Sequence, residues 1–296
     1  MTPEEESFPQ IDLHIHSTAS DGSTPPEELP RLAVEAGLVA AALTDHDTVA
    51  GIPAFFRAAE AYPELEAIAG VELSTVYCSR EMHVVGLFID PASPELNTFL
   101  ERQRSERMER SELIRSRLAS LGYPLTLDEL ELAGGGDGTT GRPHFARALI
   151  NKYHFTEMNE VFDKLLKHGA AGFVPRKLPL PTEAFAAIHA AGGIAVWAHP
   201  IYRQRNERAF ARRMMRKFAA LGLDAAEGYY SLFGPGETLI VTELAAEFGL
   251  AVSGGSDFHG DNTPNLKVGC GAGKMRVPAA LLNGLREKRE KVLSGN

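Results

Sequence analysis

The stretch IDLHIHS, residues 11–17, alternates apolar and polar side chains. A period of two residues predicts a β-strand whose two faces differ in polarity. We expect the polar face to carry His14 and His16, and the apolar face to pack against surrounding helices. Two imidazoles on one strand are an unusual choice for a surface in contact with water, so the stretch is a candidate for half of a metal site. The apolar face would consist of Ile11, Leu13 and Ile15.

Short apolar runs recur along the chain, and helix-like segments such as 26–36 and 181–191 lie between many of them. Alternation of strand and helix predicts an α/β fold with a parallel sheet. The runs are nearly continuous in their apolar character, which is typical of parallel strands that are covered on both faces. The runs are IDLHIHS, LVAAALTDHD, LEAIAGVELS, MHVVGLFID, GGIAVWAHP, LDAAEGYYS and LAVSGGSDFHG.

Histidines and carboxylates fall repeatedly at the point where one of these runs ends. In a barrel of parallel strands the C-terminal ends meet on one face, and active sites lie on that face. His83 is different because it begins its run, so its strand either runs in the opposite direction or starts near the site. The residues at run ends are His16, Asp45, His46, Glu72, His199, Asp257 and His259.

The segment 100–168 interrupts the alternation with sequence that is mainly helical. We therefore predict a barrel formed by residues 1–99 and 169–296, with an inserted helical subdomain at 100–168. Within the insertion, GGGDG at 134–138 lacks the GK[ST] ending of a phosphate-binding loop, and we interpret it as a hinge.

Charge, hydrophobicity and cysteine content indicate which binding partners and which cellular compartment to expect. The net charge of −9 disfavours binding of duplex DNA. Residues 202–217 nevertheless carry seven Arg and Lys against one Glu, which indicates either a solvated helix face or a positive rim beside a phosphate site. We expect no membrane partner, because no apolar run reaches the roughly 18 residues of a membrane helix. Cys78 and Cys270 lack CxxC spacing, which favours a reducing, cytoplasmic setting.

The donor types predict the chemistry of the site. Imidazole and carboxylate donors without thiolates suit Mn, Fe or Zn. Two such cations about 3.5–4 Å apart are the usual arrangement for hydrolysing phosphate esters. The sequence offers no GxSxG serine and no Cys–His pair as a competing nucleophile. We therefore predict hydrolysis of a phosphate ester by a hydroxide that bridges the metal ions.

The motifs occur in a fixed order: HIHS with Asp21 and Gly22 after it, TDHD at 44–47, Glu72, His83, AHP at 198–200 and SDFHG at 256–260. This ordered set resembles the PHP (polymerase and histidinol phosphatase) family of the amidohydrolase superfamily. The resemblance covers nearly the whole chain outside the insertion, and it implies a distorted (β/α)7 barrel.

The resemblance also implies two or three divalent transition-metal ions, with manganese as the first choice and iron or zinc as alternatives. Glu72 would bridge the first two ions, while Asp45 and Asp47 would orient a ligand rather than bind metal. The implied ligands are His14, His16, Glu72 and Asp257 for the first ion, Glu72, His83 and His199 for the second, and Asp21, His46 and His259 for the third.

Two further stretches, TTGRPHFARAL at 139–149 and GFVPRKLP at 172–179, resemble a PHP subgroup of 3′,5′-nucleoside bisphosphate phosphatases. Members of that subgroup, or close relatives, also trim short RNA from its 5′ end. The implied reaction converts a bisphosphate such as pAp to the 5′-monophosphate, with a metal-bridging hydroxide assisted by Arg142, Lys177 and His199. The resemblance thus implies that the insertion at 100–168 recognises the substrate. The implied substrate-binding residues are Ser17, Arg102, Arg104, Arg142, Lys177 and Asn265.

Other functions stay open at this point. The same metals could act in a 5′→3′ exoribonuclease, a phosphodiesterase on cyclic nucleotides or a histidinol phosphatase. A non-catalytic PHP scaffold that binds nucleic acid or a polymerase is a further alternative, although every expected ligand position is filled here. The expected partners are a small nucleotide and short RNA ends.

Overall fold

The structure of the protein is a computed structural model that describes residues 8–134, 140–201, 207–270 and 275–295. Residues 135–138 of the predicted hinge and 202–206 of the basic segment lie outside this part. Within the described ranges, no helix combines the length and the apolar composition that crossing a bilayer requires.

Two compact units make up the chain. The first combines Met1–Asn97 with Pro179–Asn296, and the second is Thr98–Leu178. The second unit therefore extends further than the predicted insertion at 100–168, because Val174 is part of its apolar core.

One eight-stranded sheet forms the framework of the first unit. Its strands are β1 (Gln10–Ile15), β2 (Leu38–Leu43), β3 (Glu66–Tyr77), β4 (Arg80–Leu87), β5 (Ile194–Trp197), β6 (Ala225–Tyr230), β7 (Ala251–Gly255) and β8 (Val277–Pro278). Neighbouring strands follow the order β7-β6-β5-β4-β3-β2-β1-β8. Pairing is parallel except that β4 runs antiparallel to both β3 and β5, and β8 antiparallel to β1. The direction of β4 confirms the first of the two alternatives for His83.

The segment after β7 returns to β1 and nearly closes the sheet into a barrel. A parallel bridge joins Ile15 to Phe258. The amide of Asp257 donates to the carbonyl of His14, and the amide of His16 donates to that of Phe258, both at 2.9 Å. We call this junction of β1 with the segment 256–259 the seam. The predicted α/β barrel is thereby confirmed.

The predicted orientation of Ile11 and Leu13 is wrong, because β1 contains an irregularity. Its pairing with β2 shifts register between Asp12 and Ile15. An extra residue in a strand turns the side chains that follow to the opposite face. Ile11 and Leu13 therefore point into the apolar interior of the barrel, and His14 faces the same interior further along the strand. The interior also includes Ala40, Ala42, Ile68, Val85, Leu87, Ile194, Val196 and Ala225.

Ten α-helices are present in the described part of the chain, and several begin with a proline in the first turn, where its missing N–H costs nothing. Short 3-10 turns cover Pro26–Glu28 and Gly260–Asn262, and a π-helical turn covers Phe162–Leu166. The helices are α1 (Leu29–Glu35), α2 (Ile52–Ala59), α3 (Pro94–Ser120), α4 (Leu127–Leu132), α5 (Arg142–Lys152), α6 (Met158–Val161), α7 (Pro181–Ala190), α8 (Glu207–Ala219), α9 (Pro235–Glu247) and α10 (Leu281–Ser294).

The second unit has an apolar core of its own, which includes Leu118, Phe145, Leu149 and Leu166. Its short helix α4 is held at its start by a capping box, in which Thr126 and Glu129 satisfy each other's backbone amides.

Candidate metal centre

The strands of the first unit and the segments that follow them bring nine histidine and carboxylate side chains into one cluster. His14 and His16 come from the end of β1, Glu72 lies inside β3, and His83 lies inside β4, which runs the other way. The remaining members lie in the segments that follow β1, β2, β5 and β7: Asp21, His46, His199, Asp257 and His259.

Glu72 is the centre of this cluster, and its side chain is 1% exposed. Its Oε1 lies 2.9 Å from Nδ1 of His83 and 3.3 Å from Nε2 of His199. Its Oε2 lies 3.1 Å from Nδ1 of His46 and 3.2 Å from Nε2 of both His14 and His16. One carboxylate therefore stands within contact distance of five imidazoles.

Asp257 and Asp21 complete the cluster on the side of the seam. Oδ1 of Asp257 lies 3.5 Å from Nε2 of His14 and 3.3 Å from Nε2 of His16. Oδ1 of Asp21 lies 3.3 Å from Nε2 of His259, and the other oxygen of Asp21 lies 3.9 Å from Nε2 of His46.

Three overlapping groups of side chains could each hold a cation, because the donor atoms within each group all lie within 4.8 Å of one another. The groups are His14, His16, Glu72 and Asp257; His46, Glu72 and His83; and His16, Asp21, His46 and His259. They differ from the implied sets because His16 and His46 each belong to two groups. His199 belongs to none of them, although its Nε2 contacts Glu72. The assignment of individual ligands to individual ions stays a prediction.

The donor atoms fit a multinuclear metal site. Buried polar atoms normally have hydrogen-bond partners, yet five in the cluster have none: Nε2 of His14, both ring nitrogens of His16, Nδ1 of His46 and Oε2 of Glu72. Three of the nitrogens, Nε2 of His14, Nε2 of His16 and Nδ1 of His46, converge on Oε2 of Glu72 at 3.1–3.2 Å without hydrogen-bond geometry. Lone pairs that converge in this way are satisfied by a cation, and nitrogen with carboxylate oxygen suits a divalent transition metal.

The electrostatics of the cluster also favour cations. Burial opposes ionisation of Glu72, but the neighbouring imidazoles, His46 first among them, hold its pKa well below the usual value. Burial would likewise lower the pKa of His16, yet the neighbouring carboxylates of Asp257 and Glu72 raise it to about 10. The pKa of His83 is raised to about 10, because the charge of Glu72 outweighs the loss of hydration. Burial lowers the pKa of His46 to about 4, so that imidazole is neutral and free to bind metal.

Glu227 is a functional residue that the sequence analysis missed. It lies in β6, its side chain is 3% exposed, and its Oε1 is 2.9 Å from Nδ1 of His14. Its Oε2 accepts a hydrogen bond of 2.7 Å from the amide of His199. A carboxylate on the far nitrogen of a ligand histidine fixes the tautomer and orientation of the ring. The signal was a carboxylate inside the buried run LDAAEGYYS.

Tyr230 was missed as well, and it supports Asp257 in a similar way. The hydroxyl of Tyr230 donates to Oδ2 of Asp257 at 3.0 Å, which leaves Oδ1 directed at His14 and His16.

Asp45 and Asp47 accept hydrogen bonds from neighbouring backbone and hydroxyl groups, and their orientation of a metal ligand stays a prediction. Asp45 accepts hydrogen bonds from the amide and the hydroxyl of Ser17, both at 2.7 Å, and from the hydroxyl of Ser20 at 2.6 Å. Asp47 accepts from the amide of Ser74 at 3.0 Å. The hydroxyl of Ser17 is fully buried and donates to Asp45, so a contact between Ser17 and a phosphate stays a prediction without support from this geometry.

The predicted phosphate-binding residues lie mainly in the second unit. Arg142 opens α5, as expected from Pro143 after it, and its guanidinium donates to the carbonyl of Leu166 at 3.5 Å. Arg102, Arg104 and Lys177 are exposed residues of the same unit, whereas Asn265 is exposed in the first unit. Their roles in substrate binding also stay predictions.

A family model of the PHP domain matches residues 12–168. The chain belongs to the PHP family. This PHP chain is also similar to curated proteins along most of its length. The 5′-3′ exoribonuclease Rnm of Escherichia coli is 40% identical over 250 residues, which cover 84% of each chain. The 3′,5′-nucleoside bisphosphate phosphatase of Chromobacterium violaceum is 36% identical over 88% of this chain and 90% of that protein.

A solved structure from Bifidobacterium adolescentis, described as a candidate metal-dependent phosphoesterase, superposes with a TM-score of 0.80. It is 29% identical in sequence and covers 96% of this chain and 98% of its own. Together with the cluster, these similarities identify the protein as a PHP-family metal-dependent phosphoesterase.

Proposed function

We propose that this PHP protein hydrolyses the 3′-phosphate ester of a nucleotide that also carries a 5′-phosphate. The smallest such substrate is a nucleoside 3′,5′-bisphosphate such as pAp, and the product is the 5′-monophosphate. The observation that carries the proposal is the cluster around Glu72, whose three donor groups overlap. Multinuclear sites of this type are suited to displacement at phosphorus.

Two or three divalent ions, manganese first and iron or zinc as alternatives, would be held by the nine clustered side chains. When bound, such ions lower the pKa of coordinated water and draw charge from phosphoryl oxygens. Glu72 brings the donor groups together, and Glu227 and Tyr230 fix His14 and Asp257 in their orientations.

In this proposal Arg142 and Lys177 bind the phosphate groups, with Arg102, Arg104 and Asn265 as further contacts. A guanidinium at the first position of a helix is well placed for an anion, since the backbone amides of the helix start add to its charge. Among the described residues, no carboxylate forms an ion pair with Arg142, which leaves its charge available.

A second candidate substrate is the 5′ end of short RNA, which the 40% identity to an exoribonuclease favours. Removing a 5′-nucleotide from RNA breaks the same 3′-ester bond that is broken in pAp, so one site can serve both. Steady-state kinetics with defined metals should compare pAp, a short 5′-phosphorylated RNA, histidinol phosphate and cyclic AMP. Preference for pAp or RNA is the expected result, and preference for histidinol phosphate or cyclic AMP would overturn the proposal.

Point variants distinguish residues that bind metal from residues that bind substrate. His14→Ala and Asp257→Ala should lose bound metal and activity together. Arg142→Ala should lower kcat/KM for pAp by on the order of a hundredfold or more, as removal of a charge-stabilising donor does, with metal content unchanged. Arg147→Ala, on the exposed side of the same helix, is the matched control. Full activity of Arg142→Ala would remove Arg142 from the site.

A further inference from the structure

Helix α8 presents a row of arginines to solvent on the outside of the barrel unit. Its buried side consists of Ala211, Met214, Met215 and Phe218. Its exposed side carries Arg208, Arg212 and Arg216 at intervals of four residues, and Arg213 beside them. Residues spaced by four lie above one another on a helix, so these guanidinium groups form a continuous stripe.

The stripe borders a groove between α8 and the end of α9. The groove has a volume of about 680 Å³ and is lined by the four arginines together with Glu247 and Phe248. Phe248 is half-buried and lines the wall of the groove. We call this feature the arginine groove.

The positive charge of the groove is only partly neutralised. Arg208 pairs with Glu243 at 3.0 Å and Arg212 with Glu247 at 2.6 Å. Within the described ranges, no carboxylate forms an ion pair with Arg213 or Arg216, and Arg213 instead lies 5.7 Å from the ring of Phe210. An excess of positive charge in one place is notable in a chain whose net charge is −9.

We propose that the arginine groove binds the body of a single-stranded RNA whose 5′ end is at the metal centre. This inference rests on the proposed function and assigns its larger substrate. Arginines in a groove with an accessible aromatic ring are the usual recognition elements for single-stranded nucleic acid, because they pair with phosphates while the ring stacks on a base. A mononucleotide needs no such surface.

The groove and the metal centre lie in the same unit and close together along the chain. His199 is in the cluster, and Arg208 follows nine residues later. Nine residues span at most about 32 Å when fully extended. An RNA of about ten nucleotides is long enough to contact both places.

The test uses metal-loaded protein and a 12-nucleotide RNA with a 5′-phosphate, a 3′-fluorophore and a cleavage-resistant phosphorothioate at its first linkage. Fluorescence anisotropy measures binding by the wild type and by the variant Arg213→Gln/Arg216→Gln. We expect affinity at 50 mM salt to fall on the order of tenfold or more. The slope of log affinity against log salt should fall by about 1.4, since each lost phosphate contact accounts for about 0.7 on a single strand.

The control variant Arg286→Gln/Lys291→Gln makes the same change of charge on α10 and should bind RNA like the wild type. Hydrolysis of pAp tests the proposed function separately and should be the same in all three proteins. Wild-type affinity of Arg213→Gln/Arg216→Gln for the RNA would overturn the groove assignment and leave the proposed function standing. Competition by polyglutamate equal to that by unlabelled RNA would also overturn it, in favour of an acidic protein partner.

Discussion

Replacing Glu227 by glutamine exchanges one buried carboxylate oxygen for an NH2 group and keeps the size of the side chain. Both oxygens of Glu227 accept hydrogen bonds, one of 2.9 Å from Nδ1 of His14 and one of 2.7 Å from the amide of His199. An amide group has only one oxygen, so glutamine satisfies one of these donors and presents N–H groups to the other. The change therefore tests whether Glu227 positions His14.

Each arrangement of the glutamine has a cost. If its NH2 group faces His14, the ring must accept at Nδ1 and carry its proton at Nε2, the atom that lies 3.2 Å from Glu72. That tautomer cannot bind metal through Nε2. If the NH2 group faces His199 instead, two buried donors oppose each other, at a cost of about 1–3 kcal/mol. Either way, we expect metal affinity to fall about 10–100-fold, the range typical of a lost hydrogen bond to a ligand histidine.

Competition with a chromogenic chelator for Mn²⁺ or Zn²⁺ measures this affinity directly, without reference to activity. Glu237→Gln is the matched control, because Glu237 is an exposed glutamate on the first turn of α9 whose Oε2 accepts from the amide of Gly234. The control should bind metal as the wild type does. If Glu227→Gln also keeps the wild-type affinity, Glu227 does not position His14 and the reasoning is refuted.

Three further predictions follow from the same geometry. Metal uptake at pH 7 should release protons, because the pKa values of His16 and His83 are about 10 before metal binds. Titration calorimetry in buffers of different ionisation enthalpy should therefore give different heats of metal binding, and identical heats would contradict the prediction. Both pKa values lie above the unfolded value of 6.5, so protonation of His16 and His83 stabilises the metal-stripped protein fully below pH 6.5, and this contribution is lost as pH rises towards 10. The Tm of the metal-stripped protein should therefore fall between pH 6.5 and 10, and a constant Tm would refute the prediction. Gly255→Ala should destabilise the fold by about 1–3 kcal/mol or more in denaturant titrations, because the added Cβ would lie 2.3 Å from Cβ of His14; Gly236→Ala, which meets nothing within 4 Å, is the control, and equal stability of the two variants would be inconsistent with this packing.

Much of the convergence could be predicted because His16, His46, His199, Asp257 and His259 follow apolar runs that the sequence marks clearly. Parallel strands carry their C-terminal ends to one face whatever the details of packing. His83 shows the limit of this reasoning, since its position at the start of a run left two alternatives open, and only the antiparallel pairing of β4 decided between them.

Features that depend on one residue or on distant partners could not be predicted. The register shift in β1 inserts one residue without any change in composition, so alternation alone predicts the wrong face for Ile11 and Leu13. Glu227 stands out in its run, but its partner His14 lies 213 positions away in sequence. No local pattern connects the two residues, because the fold alone brings them together.

A metal ion bound at the seam would be coupled to closure of the barrel. His14 and His16 come from one side of it, and Asp257 and His259 come from the other, so donors near the two ends of the chain meet there. A cation held by both sides and the closure of the barrel stabilise each other by the same free energy, since linkage between two equilibria is reciprocal. These contacts have a very high sequence separation, and contacts of this kind carry the largest loop-closure cost. Metal supply would therefore govern how completely the barrel closes as well as how fast it turns over substrate.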